Sequence, residues 1–266
     1  MDKDENDLSI FDQPHLLQIM FYPRRDTPGS LTPSNAEVHF VEVEEDISIS
    51  CRLYWVDADC PNILYFHGNG EIASDYDSIA PQYSRRKINL FVADYRGYGM
   101  SGGHPTATSM IRDAHKVFQG FKRILTEREA KGFLFLMGRS LGSASAIELA
   151  LHYQGEVKGL IVESGFADAL ALLSRFGVSI KEAKEEIGLF NLKKIQSISI
   201  PTLTIHSQYD HIIPLDEGIQ LHNASGAKEK ELVIIPNANH NDLMMVGMDQ
   251  YFEAIEKFVS ANRSAP

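Results

Sequence analysis

Phe133-Leu134-Phe135-Leu136-Met137-Gly138-Arg139-Ser140-Leu141-Gly142-Ser143-Ala144-Ser145-Ala146-Ile147 is the stretch whose reading decides the fold. Five apolar residues in an unbroken run suit a strand buried on both faces. The G-x-S-x-G pattern Gly138 to Gly142 follows at once, and a helical run of small residues follows that. Strand, sharp turn and helix together describe a nucleophile elbow, a strained turn that holds the Ser140 hydroxyl up at the carboxyl edge of a sheet. Gly138 and Gly142 leave room for the helix and the neighbouring strands to pass close by. The pattern occurs a second time, at Gly99-Met100-Ser101-Gly102-Gly103, also after an apolar strand, Ile88 to Ala93. Ser101, however, leads into Gly102-Gly103-His104-Pro105, a loop with no helix N-terminus to stabilise developing negative charge. Ser140 is therefore the nucleophile candidate; the plainer alternative for it is a serine that only caps the following helix.

Working outward, short apolar segments at 62–66, 88–94, 133–137, 157–162, 202–206 and 231–235 alternate with helical stretches near 72–84, 107–126, 141–153, 215–223 and 248–260. Strands apolar on both faces and separated by helices make a mostly parallel sheet with helices on both faces, an α/β fold. Ahead of them, Val38 to Val43 and Ile47 to Trp55 alternate apolar and polar around Glu45-Asp46, the pattern of an antiparallel hairpin at a sheet edge. We expect residues 36–266 to form one domain, with residues 1–35 as an N-terminal extension packing on or near its core. Residues 164–199, the longest irregular stretch between strands, are the place for a small lid. Its Leu170, Leu172, Leu173, Phe176 and Val178 are candidates for an apolar wall.

In such a sheet ligands bind beyond the carboxyl ends of the strands. A serine hydroxyl becomes a nucleophile only when a histidine takes its proton, and the histidine needs a carboxylate to fix its tautomer. Asp210 follows the strand Leu203-Thr204-Ile205-His206, and His240 follows Leu232-Val233-Ile234-Ile235, so Ser140, Asp210 and His240 occur in order, each at a strand end. Glu163, also at a strand end, is the rival acid. His67, His206 and His211 lie near strand ends too, and structural hydrogen bonding is the better reading for His67 and His206. Acyl transfer also needs two backbone N–H donors for the oxyanion. Leu141, directly after the nucleophile, and Asn69, in the turn His67-Gly68-Asn69-Gly70, are the candidates.

Composition narrows the remaining classes. A net charge of -11, with basic residues scattered singly or in pairs, argues against nucleic-acid binding, which needs clustered Lys and Arg. No segment approaches the roughly 18 apolar residues of a membrane span. The opening Met1-Asp2-Lys3-Asp4-Glu5-Asn6-Asp7 is acidic where a signal peptide is basic and then apolar, so the expectation is a cytoplasmic protein. Leu16 to Tyr22 is a short apolar run that packs on the domain or touches a membrane surface; packing is the preferred reading. Cys51 and Cys60 give no disulfide framework. Gly97-Tyr98-Gly99-Met100-Ser101-Gly102 matches G-x-G-x-x-G, but Pro105 interrupts the required helix and the next strand ends in Met137-Gly138 rather than an acid. No phosphate-loop, H-E-x-x-H or C-x-x-C pattern occurs, so no metal or nucleotide site is expected, and no cofactor is required.

Taken together, His67-Gly68-Asn69-Gly70, Asp94-Tyr95-Arg96-Gly97-Tyr98-Gly99, Gly138-Arg139-Ser140-Leu141-Gly142, Asp210 ahead of Pro214 and His240-Asn241-Asp242 resemble the α/β-hydrolase superfamily. More narrowly they are similar to serine hydrolases with H-G-N and D-Y-R-G-Y-G motifs, a subgroup that includes protein depalmitoylases. The resemblance, which runs from about Phe21 onward, implies an eight-stranded, mostly parallel sheet, the triad Ser140, Asp210 and His240, and the donors Asn69 and Leu141. It also implies that Asp94 and Arg96 are scaffold residues pinning the loop beside the site. The expected activity is cleavage of a small-molecule carboxylic ester or thioester through an acyl-enzyme. A serine peptidase of the same fold and a non-catalytic binding protein on this scaffold are the alternatives. No stable membrane contact and no nucleic-acid partner are expected.

Overall fold

Side-chain alternation along the central strands builds two separate cores, one on each face of a single sheet. The computed structural model describes residues 8–27, 32–178 and 191–262. The sheet has eight strands: β1 (Glu37–Glu44), β2 (Ile47–Tyr54), β3 (Asn62–Phe66), β4 (Asn89–Ala93), β5 (Leu134–Arg139), β6 (Gly159–Glu163), β7 (Thr202–Ser207) and β8 (Lys230–Ile235), in the order β1-β2-β4-β3-β5-β6-β7-β8. β1 and β2 form an antiparallel hairpin at one edge, β2 runs antiparallel to β4, and every later pairing is parallel. The mostly parallel, helix-covered sheet read from the sequence is the one observed.

Successive residues of a strand point to opposite faces. Leu64, Phe66, Phe91, Leu136, Leu160 and Val162 accordingly enter one core, while Ile63, Tyr65, Leu90, Phe135, Met137 and Ile161 enter the other. The first core is covered by α3 (Ala107–Glu127), α4 (Gly142–His152), α6 (Asn191–Ile195) and α7 (Leu215–Ala224); the second by α2 (Ala80–Arg85) and α9 (Met248–Ala261). α3 starts where Thr106 Oγ1 accepts the Ser109 N–H at 2.9 Å, satisfying a donor that the first helical turn leaves unpaired.

Two local features differ from the pattern reading, and the N-terminal segment adds a helix to it. The helix expected over 72–84 is a 3-10 segment, Ala73–Ser78, followed by a fresh start at α2, because Pro81 has no N–H and suits only a first turn. The segment before residue 35 carries α1 (Pro14–Met20), and its neighbours Leu8, Phe11 and Phe21 belong to the first core. Leu16 is fully buried and Tyr22 is exposed. Of the lid stretch, residues 179–190 lie outside the described residues. Its α5 (Ala169–Arg175) is capped by the Asp168 carboxylate, and Leu170, Leu172, Leu173 and Val178 pack against the first core, leaving only Phe176 turned outward. No helix among the described residues is long and apolar enough to cross a membrane.

Candidate active site

β5 ends at Arg139 and α4 begins at Gly142, so the chain must reverse within two residues. Ser140 makes that reversal at φ +50°, a left-handed conformation that costs a residue with a β-carbon about 1–3 kcal/mol. The surroundings fix it: the Ser140 N–H donates to Glu163 O at 2.9 Å, and Ser140 O accepts from the Ser143 N–H at 3.0 Å and the Ser143 hydroxyl at 2.6 Å. Both glycines of the pattern are steric necessities. A β-carbon on Gly142 would lie 2.1 Å from the Phe66 carbonyl oxygen, and one on Gly138 2.3 Å from that of Gly142.

Two further strand-end loops bring a histidine and an aspartate to this turn. His240 Nε2 lies 3.0 Å from Ser140 Oγ, and His240 Nδ1 lies 2.7 Å from Asp210 Oδ2. Asp210 Oδ1 accepts the backbone N–H groups of Ile212 and Ile213 at 3.0 and 2.8 Å, and Oδ2 accepts the Ser207 hydroxyl at 3.2 Å. Burial alone raises this carboxyl's pKa. The hydrogen bond and charge of His240, with the Ile213 N–H, outweigh burial and hold it below its ordinary value. An ionised Asp210 takes the Nδ1 proton of His240 in hydrogen bonding, which leaves the Nε2 lone pair facing Ser140 Oγ. The arrangement is able to move the Ser140 proton onto His240.

The close approach of Gly142 to Phe66 and His67 sets Leu141 beside the loop after β3 that carries Asn69. The backbone N–H groups of Leu141 and Asn69 meet no protein acceptor among the described residues. Asn69 is itself held: its Oδ1 accepts the Tyr98 hydroxyl and the Tyr22 N–H, both at 2.7 Å. The segment after α1 thus buttresses the Asn69 turn, a contact that the sequence pattern did not reveal, Tyr22 being merely the end of a short apolar run.

The rival residues have other partners. Glu163 Oε2 accepts the hydroxyls of Tyr65 and Tyr251 at 2.9 and 2.8 Å, and its Oε1 lies 3.2 Å from Arg139 Nε; burial raises its pKa despite Arg139. Ser101 is fully buried and its Oγ accepts the Ser50 N–H at 2.9 Å. His67 bridges Gly68 O and Asp94, and His206 meets Ile213 O at 2.8 Å. Asp94 also accepts from Ser50 and the Ala73 N–H, and Arg96 pairs with Asp113 and Glu44. Among the described residues, His115, Glu148 and His152 are the group whose donor atoms lie close enough together to hold a metal ion, but the Lys194 ammonium already neutralises Glu148.

The chain is similar to known proteins. The sequence profile of the family described as serine aminopeptidase, S33, matches residues 59–182, a span that includes Ser140 and stops short of Asp210 and His240. Protein bem46 of Schizosaccharomyces pombe is 28% identical over 216 residues, covering 76% of this chain and 68% of that protein. Human alpha/beta hydrolase domain-containing protein 17B is 29% identical over 205 residues, covering 74% of this chain and 66% of that protein. The chain thus spans about two thirds of the length of these relatives. Among solved structures, the esterase Pf2001 of Pyrococcus furiosus superposes with a TM-score of 0.74 at 17% identity, over 91% of this chain and 99% of that one. With its eight-stranded, mostly parallel sheet and its turn at Ser140, the chain has the α/β-hydrolase fold and is similar over much of its length to these proteins.

Proposed function

We propose that the protein cleaves a carboxylic ester or thioester through an acyl-enzyme, with Ser140 as nucleophile, His240 as general base and Asp210 as the acid that orients it. The observation that carries this reading is the unbroken relay from Ser140 Oγ to His240 Nε2, 3.0 Å, and from His240 Nδ1 to Asp210 Oδ2, 2.7 Å. Ser140 Oγ attacks the substrate carbonyl while its proton passes to Nε2. The resulting oxyanion takes hydrogen bonds from the Leu141 and Asn69 N–H groups. As the carbonyl re-forms, the alcohol or thiol departs with the proton from Nε2. Water then repeats the sequence on the acyl-enzyme, releasing the carboxylic acid and regenerating Ser140.

The family description favours a second reading, a peptidase acting on amide bonds through the same residues. Measuring kcat/KM for nitrophenyl esters, acyl thioesters and a matched anilide separates the two. Esters and thioesters should be turned over and the anilide poorly; efficient anilide cleavage would establish the peptidase. In Ser140→Ala the ester activity should disappear, because loss of the nucleophile costs several orders of magnitude in rate.

A further inference from the structure

The free position of the elbow pattern holds a charge. Arg139 continues the Phe135-Met137 side of β5, so its side chain enters the second core, and it is 5% exposed. A guanidinium there is tolerated only with full pairing. Arg139 Nη1 pairs with Glu71, Nε lies 3.2 Å from Glu163 Oε1, and Nη2 donates to the main-chain oxygen of His240 at 2.6 Å. Each carboxylate is pinned in turn. Glu71 Oε2 accepts the Gly68 N–H at 2.9 Å and the Tyr76 hydroxyl at 2.8 Å, and Glu163 is held by Tyr65 and Tyr251. Burial alone lowers the Arg139 pKa; Glu71 and Glu163 more than restore it, so the fork is always charged.

We propose that Arg139 is a positioning residue, whose one guanidinium fixes His240 and the Asn69 loop relative to Ser140. The proposal rests on the reading of Ser140 and His240 as nucleophile and base. Its elements are all local: the His240 oxygen belongs to the base itself, Gly68 directly precedes Asn69, and Arg139 directly precedes Ser140. A β-carbon on Gly68 would lie 2.5 Å from Arg139 Nη1, so the guanidinium packs on the Asn69 loop as well as binding it through Glu71. A planar fork with donors in fixed directions sets angles that a point charge does not.

A cavity of about 280 Å³, walled by Glu71, Arg139, Glu163, Ile79, Met244 and Phe252, adjoins the guanidinium and offers small cations a way in. That makes chemical rescue the test. Arg139→Ala should lower kcat about 100-fold with KM within about threefold of wild type, the scale of an ångström-sized misplacement of reacting groups. Arg139→Lys should recover only part of the loss. Guanidinium chloride below the onset of unfolding should restore Arg139→Ala substantially, where sodium chloride at equal ionic strength does not. Should Arg139→Ala fail to fold, Glu71→Gln decides, with an expected loss in kcat of about tenfold. A folded Arg139→Ala with near-normal kcat, a loss that guanidinium leaves untouched, or a Glu71→Gln with wild-type kcat would each overturn the proposal. Ester turnover surviving in Ser140→Ala would instead overturn the triad reading beneath it.

Discussion

A carboxylate supports an imidazole only if it stays ionised while the imidazole takes a proton, and the two candidate acids differ in this respect. The His240 ring and the Ile213 N–H hold the Asp210 pKa down against burial, whereas burial pushes the pKa of Glu163 up. Asp210→Asn should therefore cut kcat by about 10³ to 10⁴, since an amide stabilises neither the imidazolium nor the required tautomer. Glu163→Gln keeps an oxygen for the Arg139 fork and should stay within about tenfold of wild type, far from the loss expected at the acid itself. Steady-state kinetics on a nitrophenyl ester distinguish them, and a larger loss at Glu163 would exchange their roles. That Ser140, Asp210 and His240 come together could be read from the sequence because each follows an apolar strand and the order is distinctive. Arg139 and Tyr22 could not. The importance of Arg139 depends on its register beside Glu163 and on Glu71, 68 residues away, and that of Tyr22 on a backbone contact to Asn69 across 47 residues.

At the scale of the elements, the elbow works because strand and helix approach more closely than a β-carbon permits. Gly142→Ala would drive a methyl group into the Phe66 carbonyl, and we expect a loss of about 1–3 kcal/mol or more in unfolding free energy. Gly155→Ala, where nothing lies within 4 Å, should remain within about 0.5 kcal/mol of wild type. Urea denaturation of both variants checks the pair; an unchanged midpoint for Gly142→Ala would contradict the close approach. The central strands β3 to β7 were legible because a strand buried on both faces is mostly apolar. The ends of helices were less so: Pro81 splits one expected helix in two, while α1 and α8 (Leu243–Val246) are too short to show a period.

Across the whole molecule, paired carboxylates tie neighbouring elements together and set the response to acid. Glu148, on α4, meets Lys194 of α6 and His115 of α3; burial alone raises its pKa, but these partners bring it down to about 2 from 4.5. A carboxyl whose folded pKa is depressed stabilises the protein above its unfolded pKa, and that contribution is lost as pH falls through the folded value. Stability should thus decline between about pH 4.5 and 2, with Glu71 and Asp210 adding to the effect, while Glu163, shifted upward, acts above that window, where its contribution grows as pH falls toward about 4.5. Glu148→Gln should be less stable at pH 7 and show a shallower acid decline in thermal melts; an unchanged slope would contradict this assignment. Mass-spectrometric mapping after reaction with a fluorophosphonate tests most directly whether Ser140 is the activated nucleophile. One adduct, on the peptide carrying Ser140 and absent from a folded Ser140→Ala variant, is the predicted result. An adduct on Ser101, or labelling that persists in Ser140→Ala, would contradict it.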